Sequence, residues 1–580
     1  MIVRLQWLRQ TPHATRVAVR AINTAASIPR LPKETQLPTG PDPYAYTSDR
    51  WLHRDDIQRK ARHVAFDFVA LCAKAVKACG DRATRVVRYE KKERGFNRVF
   101  ILEMDSGRKV VAKVPFGIAG PRRLITSSEV ATMEYVRQNT SLPIPKVLDW
   151  SDGHEIGTEY IIMDHAPGVS LHSRWPDLSM PERKLCAQFL VLKTETMKKL
   201  TFPAYGSIFF ADAPIDSESK IKLSDRFCVG PHVGTRYWDC DAGRPRFYEE
   251  RPPDRGPWHD LESYCTGLVN AGFSRIPKDD GSLTFTHTHW DSRSIQEHNR
   301  LIYISTKILA ELINHPSIRY STRPTLFYLD LHRCNIFVSE DDPTRITAII
   351  DWQSAAIEPL FTSLPETPVM AEDSVADIPA LKILEGRSPK HILYSQPTGR
   401  LPVESPEGKL ARRRYKLDDS FFQPMYEALL LHWALRKRDA RRIDGTLLRL
   451  FTSCANDNTA RLREDLINLS NRWEELQLNG SCPYQPTPKE LAEHAKTLQD
   501  FRTTQHLITS LKRNIGVDSD GRIPAEHYEV VKAEHRILFK HFVERFVEGG
   551  GTIDEATRHW PFDEGWRMIL DGCFPEWDDY

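Results

Sequence analysis

The segment between residues 326 and 352 constrains the fold of this chain more than any other. It contains short apolar runs next to three side chains that carry oxygen: Asp330, Asn335 and Asp351. The sequence reads Leu326-Phe-Tyr-Leu-Asp330-Leu-His-Arg-Cys-Asn335-Ile-Phe-Val338, and later Ile349-Ile-Asp351-Trp352. The turn at 341–344 predicts a hairpin, which would bring Asn335 and Asp351 close together. Carboxylate and amide oxygens suit Mg²⁺, and Asp330 would lie on the adjoining loop. The alternative is that these polar residues serve only the turns.

Charge and hydropathy exclude two broad classes of protein. The 80 basic and 78 acidic side chains of the 580 residues nearly cancel, so a nucleic-acid binder that relies on bulk positive charge is not expected. No apolar run approaches the ~18 residues of a membrane span, so no integral membrane segment is expected. Composition therefore indicates a folded, water-soluble chain and leaves its chemistry open.

The first 33 residues differ in charge from the rest of the chain. They hold five arginines and one lysine, without a single Asp or Glu. Apolar residues near the start, with Ser, Thr and Ala filling much of the remainder, are typical of a mitochondrial transit peptide. We therefore expect a leader over 1–43, recognition by the mitochondrial import machinery, and a mitochondrial location. The alternative is a disordered basic tail.

The region after the leader alternates between helical and strand patterns. A helix is predicted over 54–79, strands over 85–90, 98–104 and 109–114, a helix over 127–139 and a further strand over 159–163. Strands, helix and strand in this order predict an α+β lobe over 44–165.

The second half of the chain is less regular. Helices are predicted over 181–200 and 290–315, an ordered but irregular stretch over 201–260, and short strands over 325–329, 335–339 and 346–350. Residues 363–415 hold seven prolines and predict a long excursion, and helical patterns dominate after 420. We therefore divide this half into 166–362, which carries the loop from Asp330 to Asn335, the irregular 363–415, and the helical 416–580.

The spacing of Asp330, Asn335 and Asp351 resembles the catalytic loop and metal-binding Asp of protein-kinase-like phosphotransferases. More narrowly, it is similar to the aminoglycoside phosphotransferase and choline kinase group, whose loop reads His-Gly-Asp-Leu-His-x-x-Asn. The resemblance implies a two-lobed fold with an extended helical C-lobe, ATP and Mg²⁺ as cofactors, Asp330 as catalytic base, and Asn335 and Asp351 as metal ligands. Tyr328 and Leu329 replace the leading His and Gly of that loop.

The same resemblance assigns roles to Lys113 and Glu129. Lys113 stands on the third predicted strand, where these kinases place a lysine that contacts the α- and β-phosphates and is held by a helix Glu. Glu129 lies about 40° from the centre of the apolar face of its predicted helix, which favours it over Glu134 as that partner. The alternatives are a solvent-facing Lys113 and a capping box Thr126-x-x-Glu129.

The remaining nucleotide contacts follow from position within the same pattern. Gly95 and Asn97 lie between the first two strands, where the family has its phosphate-covering loop, although a plain hairpin turn would read similarly. Residues from Asp164 to Ala166 resemble the hinge between lobes, whose backbone groups contact adenine.

Several segments resemble a fungal branch of this superfamily, the altered inheritance of mitochondria protein nine group. They include Tyr46-Thr-Ser-Asp-Arg50-Trp51, Tyr160-Ile-Ile-Met163, Ala166-Pro-Gly168, Tyr205-Gly-Ser207 and Gly256-Pro-Trp258. The sequence thus predicts a mitochondrial, ATP-dependent phosphotransferase acting on a small hydroxylated acceptor. The alternative is a nucleotide-binding pseudokinase that acts as a scaffold or regulator.

Overall fold

The computed structural model describes residues 38–277, 292–363, 438–454 and 458–562, apart from positions 81, 154, 180, 184, 187–188, 191–195, 241, 243–251, 320 and 329. The predicted leader up to residue 37, the proline-rich excursion beyond residue 363, and the first helical patterns after 420 lie outside the described residues.

One strand and two helices precede the main sheet: β1 (Asp49–Trp51), α1 (Asp55–Ala61) and α2 (Phe68–Cys79). The prediction of a single helix over 54–79 is wrong, because residues 62–67 are not helical. Buried Val64 and Phe66 alternate there with exposed neighbours, a period of two that suits extended chain and not a helix. Asp67 then starts α2, since its side chain accepts a hydrogen bond from the Ala70 N–H at 2.9 Å.

The first lobe is built on an antiparallel sheet with the strand order β2-β3-β4-β6-β5. Its strands are β2 (Val86–Arg94), β3 (Asn97–Met104), β4 (Lys109–Pro115), β5 (Val147–Ser151) and β6 (Tyr160–Asp164). The four strands predicted here are confirmed within a few residues. Strand β5 was not predicted, because its residues are mostly half-buried and lack the alternation that marks a strand.

The two faces of this sheet pack against different elements. Phe100, Ala112 and Val114 share one buried cluster with Phe68 of α2. Helix α3 (Leu124–Asn139) belongs to a different cluster, with the catalytic-loop strands of the second lobe. Because side chains alternate along a strand, Lys113 lies on the face opposite Ala112 and Val114.

The second lobe combines small sheets with helices. Its strands are β7 (Val169–Ser170), β8 (Ser207–Phe210), β9 (Ile221–Lys222), β10 (Phe227–Gly230), β11 (Pro324–Phe327), β12 (Ile336–Val338), β13 (Ile346–Ile349) and β14 (Ala356–Pro359). Its helices are α4 (Leu171–Arg174), α5 (Leu261–Ser274), α6 (Ser292–Ile313), α7 (Arg438–Cys454) and α8 (Thr459–Asn471). The stretch 201–260 is more regular than predicted, since it contains the antiparallel sheet β8-β10-β9.

The last described part consists of α9 (Pro488–Ile515), β15 (Arg522–Pro524), α10 (Tyr528–Glu548) and α11 (Ile553–His559). This confirms the helical prediction for the described residues after 438. Strand β15 pairs antiparallel with β1, so this part of the chain contacts the first lobe. A search of the described residues finds no helix that combines the length and the apolarity needed to cross a membrane. The described elements together make an α+β fold, as predicted.

Candidate active site

The buried ion pair between β4 and α3 is the first component of the site. Lys113 Nζ donates to Glu129 Oε1 at 2.7 Å and to Oε2 at 2.9 Å, and both side chains are buried. The sequence left open a capping box for Glu129, but α3 begins at Leu124 without a side-chain cap, and the Glu129 carboxylate is used by Lys113. The outcome is therefore the ion pair and not the capping box.

A second carboxylate reaches the same lysine from the end of β13. Asp351 Oδ1 lies 2.5 Å from Lys113 Nζ, across a separation of 238 residues. The backbone of Asp351 has φ of 64°, in the left-handed region that non-glycine residues rarely adopt. The indole N–H of Trp352 donates to the Ile349 carbonyl at 3.1 Å across this turn. Backbone strain of this kind, held by the surrounding packing, is characteristic of functional sites.

The loop between β11 and β12 supplies Asp330 and Asn335. Asn335 Nδ2 donates to Asp330 Oδ2 at 2.9 Å and to its carbonyl at 3.1 Å. The Ile350 N–H donates to the Asn335 carbonyl at 2.9 Å, which ties this loop to the residue before Asp351. The predicted hairpin therefore exists. Hydrogen bonds connect Asp330, Asn335 and Ile350, and the next residue, Asp351, pairs with Lys113.

His332 modifies the charge of Asp330. Its Nε2 lies 3.2 Å from Asp330 Oδ1, and hydrogen bonds to Asp330 and Cys334 raise the pKa of His332 to about 9. Burial raises the pKa of Asp330, but the His332 and Asn335 hydrogen bonds outweigh it, so this pKa lies below its usual value. Asp330 is therefore ionised at neutral pH and its side chain is half exposed.

The pKa of Lys113 is set by opposing effects. Burial lowers it, but Asp351 and Glu129 act in the opposite direction and leave the pKa above its usual value. Lys113 is therefore a cation at neutral pH. One lysine therefore faces two carboxyl groups: the buried Glu129, whose pKa is raised by burial, and the partly exposed Asp351.

Several supporting residues of the site carry no signal in the sequence pattern. The Tyr328 ring stacks on Trp352 with centroids 4.7 Å apart, and its hydroxyl donates to the Ile350 carbonyl. Tyr328 thus braces the Asp351 turn from the position where the family has His. Gln353 Nε2 donates to the Ala119 carbonyl at 3.2 Å, which ties the segment after Asp351 to the β4–α3 connection. The first of these contacts lies within the second lobe, and the second joins the two lobes. Leu329 lies outside the described residues.

The other predicted nucleotide contacts lie around the same group. Gly95 is in the two-residue turn between β2 and β3, and Asn97 begins β3 with a buried side chain. Asp164 ends β6; its N–H donates to the Lys146 carbonyl at 3.0 Å and its carboxylate pairs with Arg108 at 2.9 Å. Ala166 follows and is buried. The Asp164 N–H is thus occupied within the sheet.

The donor set suits a hard cation that also binds a ligand. The Asn335 NH₂ group is used by Asp330, so its amide oxygen is the atom available to a metal ion. The Asp351 carboxylate comes just after β13, the strand that pairs with β12. Within the described ranges, no group of three or more His, Cys, Asp or Glu has a metal-holding arrangement. Mg²⁺ typically takes one or two protein oxygens and completes its shell with phosphates and water, so the residues present fit Mg²⁺.

Residues 94–362 match the family model described as the phosphotransferase enzyme family. This match covers just under half of the chain. The match contains all five residues of the group: Lys113, Glu129, Asp330, Asn335 and Asp351. The family identity predicted from the loop spacing is therefore confirmed.

The relatives that match this chain are distant in sequence. A subtelomeric hrmA-associated cluster protein of Aspergillus fumigatus is 26% identical over 517 residues, which span 81% of this chain and 96% of that protein. Altered inheritance of mitochondria protein 9, mitochondrial, of Candida glabrata is 24% identical over 397 residues, 54% of this chain and 61% of that protein. The protein of the same name from Kluyveromyces lactis is 24% identical over 307 residues, 47% of this chain and 48% of that protein.

The solved structures that match include a ternary complex of APH(2″)-IIa with streptomycin and ATP. It is 12% identical, has a TM-score of 0.32, and covers 66% of this chain and 91% of its own. A macrolide 2′-phosphotransferase type I is 9% identical with a TM-score of 0.28, over 70% of this chain and 99% of its own. Both scores lie below 0.5, so the family assignment rests on the sequence match.

Proposed function

We propose that this protein is a magnesium-dependent phosphotransferase that moves the γ-phosphoryl group of ATP to the hydroxyl of a small molecule. The observation that carries the proposal is the position of Lys113 between Glu129 and Asp351, at 2.7 and 2.5 Å. A cation held by one buried carboxylate and shared with a second, more exposed one can turn from Asp351 to the phosphates of a bound nucleotide. Its charge would then act on the groups that develop negative charge during transfer.

Each residue of the group has a distinct task in this reaction. Glu129 fixes the Lys113 ammonium from the buried side, and Lys113 binds the α- and β-phosphates. Asn335 and Asp351 would hold Mg²⁺, which neutralises the charge of the phosphates when bound. Asp330 is ionised and half exposed, so it can accept the proton of an acceptor hydroxyl and orient its oxygen. Little covalent help from the protein is needed, because positioning and charge account for most of the catalysis of phosphoryl transfer.

The nucleotide would lie against residues from both lobes. The Gly95 to Asn97 turn would cover the phosphates, and backbone groups near Asp164 and Ala166 would contact the adenine ring. Because the Asp164 N–H already donates within the sheet, Ala166 is the stronger candidate for a backbone contact to the base.

The acceptor is proposed to be small, since the sequence has no Ala-Pro-Glu signature of a protein-substrate site after the metal-binding Asp. A second candidate function is a nucleotide-binding pseudokinase with a scaffold or regulatory role. It is favoured by the replacement of the family's loop His and Gly by Tyr328 and Leu329. The bracing contacts of Tyr328 with Ile350 and Trp352 support the enzyme, because the replacement retains a residue that holds the metal-binding turn.

We propose that the protein acts in mitochondria and is delivered by the import machinery. The support is the acid-free, arginine-rich stretch over 1–33, together with relatives named as mitochondrial. Import assays with a fusion of residues 1–43 to a fluorescent protein test this directly. Entry into mitochondria that depends on the membrane potential is expected, and a cytosolic reporter would contradict it.

The activity is tested in two stages on the full chain. Thermal shifts with ATP are measured with Mg²⁺ and with EDTA, and ATP consumption is then followed with a small-molecule extract of mitochondria. Stabilisation that needs both ATP and Mg²⁺ is expected, with turnover that Asp330→Asn abolishes. Stabilisation without turnover would favour the pseudokinase, and no stabilisation would exclude both functions. Asp341→Asn, on the exposed turn between β12 and β13, is the matched control.

A further inference from the structure

Arg62 lies between α1 and the β2–β3 turn and is almost fully buried, with 5% of its surface exposed. Its Nε donates to the Gly95 carbonyl at 3.2 Å, and its NH1 group donates to the Gln58 carbonyl and side chain at 2.9 and 2.8 Å. A guanidinium has a fixed fork of donors, so these bonds define its orientation. Arg62 therefore fixes the direction of the Gly95 carbonyl.

Both carbonyls of the β2–β3 turn are held by hydrogen bonds. The Gly95 carbonyl accepts from Arg62, and the Phe96 carbonyl accepts from the Phe116 N–H at 2.8 Å. Among the described residues, neither the Gly95 nor the Phe96 N–H donates to a protein acceptor. In a trans peptide the C=O and the following N–H point in opposite directions, so the Phe96 N–H points away from Arg62.

The side of the sheet to which this N–H points follows from the packing. Arg62 lies over the Trp51 ring, 4.2 Å from its centroid, and Trp51 packs in the same cluster as Ala112 and Val114. Lys113 is on the opposite face of β4. The free amide of the turn thus points toward the face that carries the Lys113 ammonium, where the proposed function places the phosphates.

Arg62 is in turn connected to the C-terminal part of the chain, residues 488–562. Trp51 is fully buried, pairs with Arg522 of β15, and donates from its indole to Asp520 Oδ2 at 3.2 Å. The Leu52 N–H also donates to the Gly521 carbonyl at 2.9 Å. A path of contacts therefore runs from the C-terminal part through Trp51 and Arg62 to the turn.

We propose that Arg62 is a positioning residue for the nucleotide phosphates, and that residues 488–562 hold it in place through Trp51. The inference rests on the proposed function, because it assumes that ATP binds beside Lys113. Held carbonyls and outward amides make the turn a donor site for an anion, as successive backbone N–H groups do elsewhere. Without Arg62, the Gly95–Phe96 peptide can rotate and present its carbonyl to the phosphates.

The test compares binding of a fluorescent ATP analogue with Mg²⁺ and binding of adenosine, by titration of the full-length wild type and variants. Arg62→Met removes the donors and keeps an apolar stem on Trp51. It is expected to weaken ATP binding about tenfold, the loss of one hydrogen bond to a charged group, and to leave adenosine binding unchanged. The ATP affinity of Arg62→Lys should lie between those of the wild type and Arg62→Met, since one ammonium group cannot make all the hydrogen bonds of the guanidinium. Trp51→Phe, which removes the bond to Asp520, should weaken ATP binding in the same direction by a smaller factor.

Arg59→Ala, on the exposed side of α1, is the matched control and should bind both ligands like the wild type. Equal loss of ATP and adenosine binding in Arg62→Met would mean a merely structural role and overturn the inference. If Arg62→Met does not fold, Arg62→Lys and Trp51→Phe decide it, and unchanged ATP binding in both would also overturn it. A wild type that does not bind ATP at all would instead remove the proposed function, and the inference with it.

Discussion

Two buried ionic groups of this molecule differ in how their charges balance. In the candidate active site, Lys113 faces the carboxylates of Glu129 and Asp351. In the second lobe, Glu358 of β14 accepts from Arg236 at 2.8 Å and contacts His232 Nε2 at 2.9 Å. Burial lowers the pKa of His232, which is therefore neutral, so one carboxylate faces one guanidinium. The first group has two carboxyl groups for one cation, and the second has one carboxylate for one cation.

The two groups also differ in exposure and in backbone strain. Asp351 is 32% exposed and has a left-handed backbone, whereas Glu358 is 2% exposed and stands in a regular strand. A buried group in which one carboxylate is paired with one cation stabilises the fold. A group with a second carboxyl group, partial exposure and a strained residue is prepared for a further cation. The comparison therefore separates a structural from a functional ionic group on physical grounds.

The largest expected effect lies at Asp330, on the functional side of the comparison. Asp330→Asn removes the acceptor for the hydroxyl proton but keeps the hydrogen-bonding shape of the loop. Turnover should fall about 10³-fold, the usual contribution of a general base, with ATP affinity within about twofold of wild type. Steady-state kinetics measure the turnover, and a separate binding titration measures the ATP affinity. Equal losses in turnover and binding would show that Asp330 acts on the nucleotide and not on the acceptor.

The next effect concerns the structural side. Burial raises the pKa of Glu358, but Arg236 and His232 outweigh it and hold this pKa at about 2. A carboxylate whose pKa is lowered on folding adds stability above its ordinary pKa of 4.5, which is lost as pH falls toward 2. Glu358→Gln should therefore lower the free energy of unfolding by about 3 kcal/mol at neutral pH. Denaturant unfolding at pH 7 and pH 3 measures this.

The same variant should bind ATP·Mg²⁺ with wild-type affinity in the folded state, since Glu358 makes no contact with the functional group. The destabilisation should shrink at pH 3, because the wild type then loses part of the same contribution. Lost ATP binding in a folded Glu358→Gln protein would break the distinction between the two groups.

The smallest effect concerns Tyr328, which braces the Asp351 turn. Tyr328→Phe keeps the stacking on Trp352 and removes one hydrogen bond to the Ile350 carbonyl. The expected loss is about 1 kcal/mol in the free energy of unfolding. The ATP stabilisation should keep its dependence on Mg²⁺. A variant that folds normally but loses that dependence would make Tyr328 part of the metal site and not only its support.

The sequence predicted the functional group better than its supports. Short spacings between apolar strands separate Asp330, Asn335 and Asp351, and such local patterns can be recognised in a single sequence. The pairing of Lys113 with Glu129 followed from a strand, a helix face and a family resemblance. The sequence could not show that Asp351 pairs with Lys113, or that Arg236 and His232 contact Glu358. These contacts join distant segments of the chain and leave no periodic signal.

The break between α1 and α2 shows a different limit of prediction from sequence, namely that one apolar pattern can fit both a helix and extended chain. Val64, Phe66 and Phe68 fit a helical pattern when read with Leu71, and they fit an extended one when read alone. Packing of residues 62–67 against the first-lobe sheet decides between the two, and the cap at Asp67 then restarts the helix. The pairing of β1 with β15 was likewise hidden, since the two strands lie more than 400 residues apart.

The central claim is that Asp351, the second carboxyl group beside Lys113, is there to receive Mg²⁺ together with ATP. Calorimetric titration of ATP into wild type and Asp351→Asn, each with Mg²⁺ and with EDTA, tests it most directly. The account predicts that Mg²⁺ strengthens ATP binding to the wild type at least about tenfold and has no such effect on Asp351→Asn, which still folds. Equal dependence on Mg²⁺ in both proteins would contradict the account.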